Sequence, residues 1–411
     1  VLGHLDSASP LAGVALAGAV FGIVIMSMNF LRMGTTGLTA QALGRDDFNA
    51  VRTTLGQALI VSSLIAFLLI SLKPLIASTA WWLMPADADV INAADTYFRI
   101  RLWSAPTTLA NFVLIGWFIG LQNTRIPLVM VITSNLVNIV LDLWLVVGVG
   151  LEETGVAIAS VSAEAAGMLV GLACIRGALK NKHGKIDTDA LRQPAAYREF
   201  FSVNGNLFVR TLALDATFAF FTAQGAKFGE IILAVNALLI NLQLLLSFAL
   251  DGLANAAEAL VGRAWGARQR EALKQAVRRT LGWSLGIAVG FSALFALGGQ
   301  TLIGWLTDID PVRAAAAFFL PWLVLSPIVS VWSFLYDGVF VGATWAREMR
   351  NVMLASALLV FLPAWWLTRG LDNHGLWLAF TLFMAARGAG MALIYRQRLR
   401  QPPITAWPAA D

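Results

Sequence analysis

Three polar residues within an apolar stretch are the first feature of this sequence that could do chemistry. Asn135, Asn138 and Asp142 are spaced i, i+3 and i+7, so a helix would place them on one face. A carboxylic acid in a low-dielectric environment takes up a proton more readily than in water. The stripe therefore predicts an H⁺ site, or an Na⁺ site at Asp142 and Asn138. The alternative is a carboxylate at a helix end that faces water.

Other ionisable residues in apolar stretches form a second set of candidates, because a charge is costly inside a membrane. Asp337 and Asp215 could each serve an ion or a cationic substrate. Asp215 follows Arg210 by five residues, so a structural ion pair is the alternative there. The full set is Glu164, Asp215, Asp251, Glu258 and Asp337, with Arg32, Arg210 and Arg387 as basic residues that could pair with them.

The composition excludes a soluble enzyme. Hydrophobic residues make up 58% of the 411 residues and charged residues only 13%, whereas a soluble domain has about 25% charged residues. The single Cys174 and three distant histidines exclude a disulfide framework and a Cys or His metal site. The sequence has no Walker A, GxSxG or HExxH motif, so it supports neither an ATP-driven pump nor a hydrolase, and we expect no cofactor.

Eleven segments contain the roughly 20 apolar residues that a membrane-spanning helix needs. Within them, Pro106, Pro321 and Pro327 predict kinks. The segments are 11–40, 52–76, 92–119, 126–148, 154–176, 199–224, 229–258, 277–298, 314–342, 350–368 and 374–396.

Most basic residues lie in every second loop between these segments, and this bias predicts the orientation of the chain in the membrane. The linker 177–198 and the tail 399–411 are on the basic side and are therefore predicted to be cytoplasmic. The formal charge of +5 then reflects membrane topology rather than nucleic-acid binding. We expect membrane lipids as neighbours and an inner-membrane location.

The two halves of the sequence are related by an offset of about 220 residues. Helix 199–224 would have its counterpart before residue 1, and the chain begins with Val1 rather than Met. We therefore expect a first helix upstream, giving twelve spans in two parallel six-helix lobes, 1–176 and 199–398. The matching blocks are 116–120 with 338–342, 150–155 with 370–375, 41–44 with 263–266, and Gly3 with Gly225.

Flexible and aromatic side chains in the spans could line an adaptable substrate cleft. Met26 and Met33 are candidates in the first half, and Phe221 and Phe248 in the second. The alternative for each is packing or contact with lipid.

Several short motifs, in order along the chain, resemble the multidrug and toxic compound extrusion (MATE) family, and most closely its DinF-like branch. They are Val1-Leu-Gly-His-Leu, Ala40-Gln-Ala-Leu-Gly, Gly120-Leu-Gln-Asn-Thr-Arg, Gly155-Val-Ala-Ile-Ala-Ser and Tyr336-Asp-Gly-Val-Phe-Val-Gly. The resemblance implies an all-α polytopic protein with two six-helix lobes around a V-shaped cleft.

The same resemblance implies an antiporter that exports amphipathic, often cationic compounds in exchange for H⁺ or Na⁺, with H⁺ favoured. We expect a monomer. The resemblance also implies that Asn138 and Asp142 belong to a cation site, with Ser160 and Tyr97 nearby. The family's aspartate of the first helix would precede Val1. A flippase for lipids or lipid-linked glycans and a non-transporting scaffold are the alternatives.

Overall fold

The computed structural model describes residues 9–180 and 182–400, and nearly all of them are helical. No β-strand occurs within these two ranges. The motif Val1-Leu-Gly-His-Leu and the tail beyond residue 400 lie outside the described residues. A helix satisfies its own backbone hydrogen bonds, which is what a chain this apolar requires in a bilayer.

The first of two compact units, Val1–Phe200, contains nine α-helices among its described residues. A π-helical segment, Leu143–Gly148, extends α7. The helices are α1 (Ser9–Met26), α2 (Phe30–Gly44), α3 (Phe48–Ser71), α4 (Lys73–Leu83), α5 (Ala88–Arg101), α6 (Ala105–Gly120), α7 (Arg125–Asp142), α8 (Glu152–Ala178) and α9 (Thr188–Arg192).

The second unit, Phe201–Asp411, begins within α10. A second π-helical segment, Ser356–Phe361, joins α14 to α15. The helices are α10 (Arg198–Ala226), α11 (Glu230–Gly266), α12 (Arg270–Leu306), α13 (Asp310–Gly342), α14 (Ala346–Ala355), α15 (Leu362–Thr368) and α16 (Asp372–Arg400).

Nine helical stretches in the described chain are long and apolar enough to cross a membrane. One of them, Ala346–Arg400, contains two of the predicted segments, which are separated at Asp372 by its φ of +50°. The predicted segment 199–224 corresponds to α10, which is not among the nine because Arg210 and Asp215 lower its hydropathy.

The segment that follows α8 is hydrogen-bonded to α3. Arg52 donates to the carbonyl of Lys182 at 2.9 Å, and Gln57 donates to the carbonyl of Ala196 at 3.1 Å. The predicted linker 177–198 therefore packs largely within the first unit.

The internal repeat is visible in the backbone. Helices α2 and α11 end at Gly44 and Gly266, and helices α6 and α13 end at Gly120 and Gly342. Each pair keeps the offset of 222 residues. The turns repeat as well, because the positive-φ residues are paired by the same offsets: Asp46 with Arg268, Gln122 with Thr344, and Glu152 with Asp372.

Two glycines at equivalent positions allow helices to approach closely in each unit. A Cβ built on Gly116 would lie 2.3 Å from the carbonyl oxygen of Arg32 in α2, and one on Gly338 would lie 2.3 Å from that of Ala254 in α11. Arg32 and Ala254 are themselves 222 residues apart. Small residues commonly allow such backbone approach between membrane helices.

We expect Gly338→Ala to destabilise the second unit. The added methyl group would meet backbone rather than a movable side chain, and overpacking of this kind costs roughly 1–3 kcal/mol. The apparent melting temperature of the purified protein in detergent should fall. Gly286→Ala is the matched control because a Cβ there meets nothing within 4 Å, and an equal fall in both variants would contradict the proposed contact.

Candidate functional site

The candidate site lies in the first unit, where polar faces of α7 and α8 meet. The start of α7 is fixed by Asn123, whose side-chain oxygen accepts hydrogen bonds from the backbone N–H groups of Arg125 and Ile126 at 3.1 and 3.3 Å. This cap satisfies N–H groups that the helix itself cannot pair. The register of α7 therefore sets which of its residues face α8.

Two hydrogen bonds join the polar face of α7 to α8. Asn138 donates through Nδ2 to the hydroxyl of Ser160 at 3.5 Å, and Ser134 donates to the carbonyl of Ala163 at 2.9 Å. Thus the structure brings together Asn138 and Ser160, two of the residues predicted for cation coupling. Their role in coupling remains a prediction.

Asp142 occupies the same face at the last turn of α7. Its side chain is half-buried, and its Oδ1 atom is buried without a hydrogen-bond partner among the described residues. The π-helical segment Leu143–Gly148 follows directly, and such irregularities often occur at functional sites. A buried, unpaired carboxylate oxygen is a position where a proton or a cation can bind.

Glu164 of α8 is contacted by side chains from two other helices, α5 and α6. Its Oε2 accepts a hydrogen bond from Asn111 at 3.0 Å, its backbone carbonyl accepts one from the same amide at 2.9 Å, and Oε1 lies 3.4 Å from Arg101. The Arg101 guanidinium is also 4.2 Å from the ring centroid of Phe21. The Arg101 guanidinium is thus shared between the Glu164 carboxylate and the Phe21 ring.

A cavity of about 380 Å³ surrounds this group. Glu164, Asn135 and Met26 are the predicted residues that line it, whereas Asp142, Asn138 and Ser160 lie outside its lining. Its walls are mainly apolar, with a few converging polar groups, as in small-molecule sites. The lining residues are Phe21, Gly22, Ile25, Met26, Arg101, Thr108, Asn111, Phe112, Ile115, Met130, Val131, Ser134, Asn135, Glu164 and Gly167.

Two other residues predicted in the first half are buried elsewhere. Tyr97 of α5 is 7% exposed and Met33 of α2 is 6% exposed, and neither lines the cavity. Both side chains are buried within the first unit. Their roles in coupling and in the substrate cleft stay predictions.

The second unit has a separate cluster of charges, formed by Arg210, Asp337 and Arg387. The Oδ2 atom of Asp337 accepts hydrogen bonds from Arg210 and, at 2.8 Å, from Arg387. The sequence suggested pairing of Arg210 with Asp215, but the structure pairs Arg210 with Asp337. Asp215 is exposed, with Arg210 near enough to act on it electrostatically.

The remaining candidates in the second unit differ in burial. Phe221 is 1% exposed and packs against Trp377 and Phe380, with ring centroids 5.1 and 5.4 Å apart. It therefore belongs to the core of the unit. Phe248 is 70% exposed, and Asp251 is exposed on the same helix.

Sequence reasoning missed Arg101 and Asn111. Arg101 lies inside the predicted span 92–119, so a search for basic residues in spans could have found it as readily as Arg32 or Arg387. Asn111 carries no comparable signal, because a lone amide in a span is equally consistent with packing. Only the tertiary structure shows that both converge on Glu164.

Comparison with known proteins identifies the protein family to which the chain belongs. The MatE family model matches residues 1–144 and 209–366, and the chain belongs to this MATE family of multidrug efflux transporters. It is a multi-pass membrane protein, and members of the family are transporters rather than enzymes. The predicted family and the predicted all-α, MATE-type fold are therefore confirmed.

The chain is similar to individual members along most of its length. It is 39% identical to DNA damage-inducible protein F of Escherichia coli, over 97% of this chain and 87% of that protein. It is 26% identical to a probable multidrug resistance protein NorM of Caulobacter vibrioides, over 94% and 84%. A crystal structure of a MATE protein in complex with MaD5 matches with a TM-score of 0.86 at 18% identity, over 96% and 89%.

We expect Asn111→Leu to destabilise the first unit, because it removes two hydrogen bonds to Glu164 and leaves that carboxylate oxygen unsatisfied. Loss of a partner for a buried polar group costs about 1–3 kcal/mol. Thermal unfolding in detergent would measure the change. Asn135→Leu is the control, since Asn135 is exposed to the same cavity, and equal destabilisation of the two variants would argue against the Asn111–Glu164 interaction.

Proposed function

We propose that this protein exports amphipathic, mostly cationic drugs or toxic metabolites in exchange for a cation, H⁺ in preference to Na⁺, by alternating access. The observation that carries the proposal is Asp142, whose buried oxygen lacks a hydrogen-bond partner among the described residues. It lies on the helix face from which Asn138 reaches Ser160. We place the protein in the inner membrane as a monomer with a cytoplasmic carboxyl terminus.

Proton coupling is supported by the chemistry of this face. A proton needs one oxygen atom, and its binding removes the charge of Asp142 altogether, which is favourable inside a membrane. Sodium would need several oxygen ligands around it, whereas the proton needs only the carboxylate of Asp142. The 39% identity to the Escherichia coli relative also favours the H⁺ coupling that the DinF-like resemblance implied.

The cavity supports a cationic, amphipathic substrate. Phe21, Met26 and Phe112 offer apolar surface, while Glu164 offers one negative charge. A volume of about 380 Å³ is within the usual range for sites that hold drug-sized molecules. A bound cation would compete with Arg101 for Glu164, since the existing contact is 3.4 Å.

In the proposed cycle, cation and substrate binding are coupled through α7. Protonation of Asp142 from outside removes a charge from the end of α7, so that the polar face can repack and the substrate is released. Loss of the proton to the cytoplasm restores the charge and the binding state. Moving one charge through 100 mV supplies about 2.3 kcal/mol to drive this exchange.

We expect Asp142→Asn to abolish proton-coupled transport, because an amide cannot take up and release the proton. The measurement is collapse of a ΔpH across everted vesicles when ethidium is added, with and without Na⁺. Glu230→Gln is the matched control, as Glu230 is an exposed carboxylate at the start of α11, and it should respond as the wild type does.

Three outcomes would contradict the proposal in different ways. Intact ΔpH-dependent transport in Asp142→Asn would remove Asp142 from the coupling site. An Na⁺-dependent response without a ΔpH response would reverse the preferred cation. If the wild type shows neither a ΔpH response nor Na⁺-dependent transport, lipid flipping or a scaffold role would be favoured.

Glu164→Gln should weaken binding of a cationic dye by roughly tenfold, equivalent to about 1.4 kcal/mol, because the cavity loses its carboxylate. Binding of an uncharged analogue of similar size should not change. Arg101→Met should shift the affinity for the cation in the opposite direction. Fluorescence titration of the purified protein would measure all three, and equal weakening of both ligands would indicate a structural rather than an electrostatic role for Glu164.

A further inference from the structure

The charge cluster of the second unit differs in kind from the candidate site of the first. Arg210 of α10, Asp337 of α13 and Arg387 of α16 form ion pairs with side-chain exposures of 9%, 13% and 4%. Both guanidiniums donate to the same carboxylate oxygen of Asp337. The three side chains are therefore enclosed. The other carboxylate oxygen of Asp337, Oδ1, is buried without a hydrogen-bond partner among the described residues, as Oδ1 of Asp142 is. The difference is that two guanidiniums lie beside Asp337, and their positive charges repel a further cation.

The internal repeat shows what this cluster replaces. With the offsets that relate the two halves, Asp337 corresponds to Ile115 and Arg387 corresponds to Gly167. Ile115 and Gly167 both line the 380 Å³ cavity of the first unit. Where the first half has an isoleucine and a glycine beside a cavity, the second half therefore has a carboxylate and a guanidinium that pair with each other.

The other charged groups around the cluster lie at its edge. Asp251 of α11 acts electrostatically on Arg387, and Asp215 acts on Arg210, and both carboxylates are exposed. The neighbouring helix α12 has no ionisable side chain between Thr280 and Leu306. Asp337 is therefore the carboxylate that both buried guanidiniums share, and Asp251 and Asp215 offset the remaining positive charge.

We propose that the guanidinium of Arg387 serves as a built-in cation at Asp337, in place of an exchangeable ion. It permanently occupies the place at Asp337 that an exchangeable H⁺ or Na⁺ would take, so transport is driven by cations exchanged at other carboxylates. Arginine remains protonated under all physiological conditions, and separating it from Asp337 would leave two uncompensated charges in the membrane. This inference rests on the proposed cation-coupled export and narrows it, because it removes Asp337 from the exchangeable sites that the sequence suggested.

The first experiment measures coupling when the whole cluster is made apolar, in Arg210→Met/Asp337→Leu/Arg387→Met. Replacing a buried ionic cluster by apolar residues is often tolerated. In proteoliposomes, the ΔpH that just halts substrate efflux gives the number of protons exchanged per substrate. We expect this number to equal that of the wild type, and a lower number, or loss of coupling with substrate binding intact, would overturn the inference.

If the triple variant does not fold, a second experiment tests whether Arg387 occupies a cation site at Asp337. Arg387→Ala leaves a space beside Asp337 that free guanidinium should fill. Millimolar guanidinium, far below denaturing concentrations, should raise the apparent melting temperature of this variant by about 3 °C through preferential binding to the folded state. The wild type and Arg279→Ala, which removes an exposed arginine, should show no rise, and the same absence in Arg387→Ala would overturn the inference.

The two experiments also separate this inference from the proposed function. If the wild type exchanges no cation for substrate, the proposed function fails. The guanidinium experiment would still report whether Arg387 occupies a cation site at Asp337.

Discussion

The rest of this structure depends on one constraint, which is that a charge inside an apolar bundle must be paired or neutralised. In the second unit the charge of Asp337 is compensated by Arg210 and Arg387, although its Oδ1 atom, like that of Asp142, has no hydrogen-bond partner among the described residues. The first unit meets the constraint only in part. Glu164 has Arg101 at 3.4 Å and a cavity beside it, and Asp142 retains a buried oxygen without a hydrogen bond among the described residues. An ion-exchange site in a transporter needs a carboxylate that is not fully paired within the protein, so that a cation can bind and leave.

Close helix packing provides the frame in which these charges are held. Gly116 and Gly338 let α6 and α13 approach the backbone of α2 and α11 so closely that a methyl group would collide with a carbonyl oxygen. The same contact occurs at the same offset in both halves, so this helix pair packs in the same way in each unit. The polar side chains could then diverge between the units without changing the backbone.

That divergence is what gives the two units different chemistry. Asn138 and Asp142 in the first half correspond to Val360 and Ala364 in the second. Conversely, Ile115 and Gly167 at the cavity correspond to Asp337 and Arg387. The first unit thus has a carboxylate, Glu164, beside a cavity, and the second has a carboxylate, Asp337, between two guanidiniums. This asymmetry makes the first unit the better candidate for exchange.

The membrane class, the helical segments, the repeat and the family could all be predicted from the sequence, because hydropathy, spacing and glycine blocks are local features of the chain. The sequence also placed Asn138 and Asp142 on one face through helical periodicity. Tertiary structure alone decided which charges meet. Arg210 pairs with Asp337, 127 residues away, rather than with nearby Asp215. Such partners depend on how separate helices pack, and sequence separation carries no information about that distance.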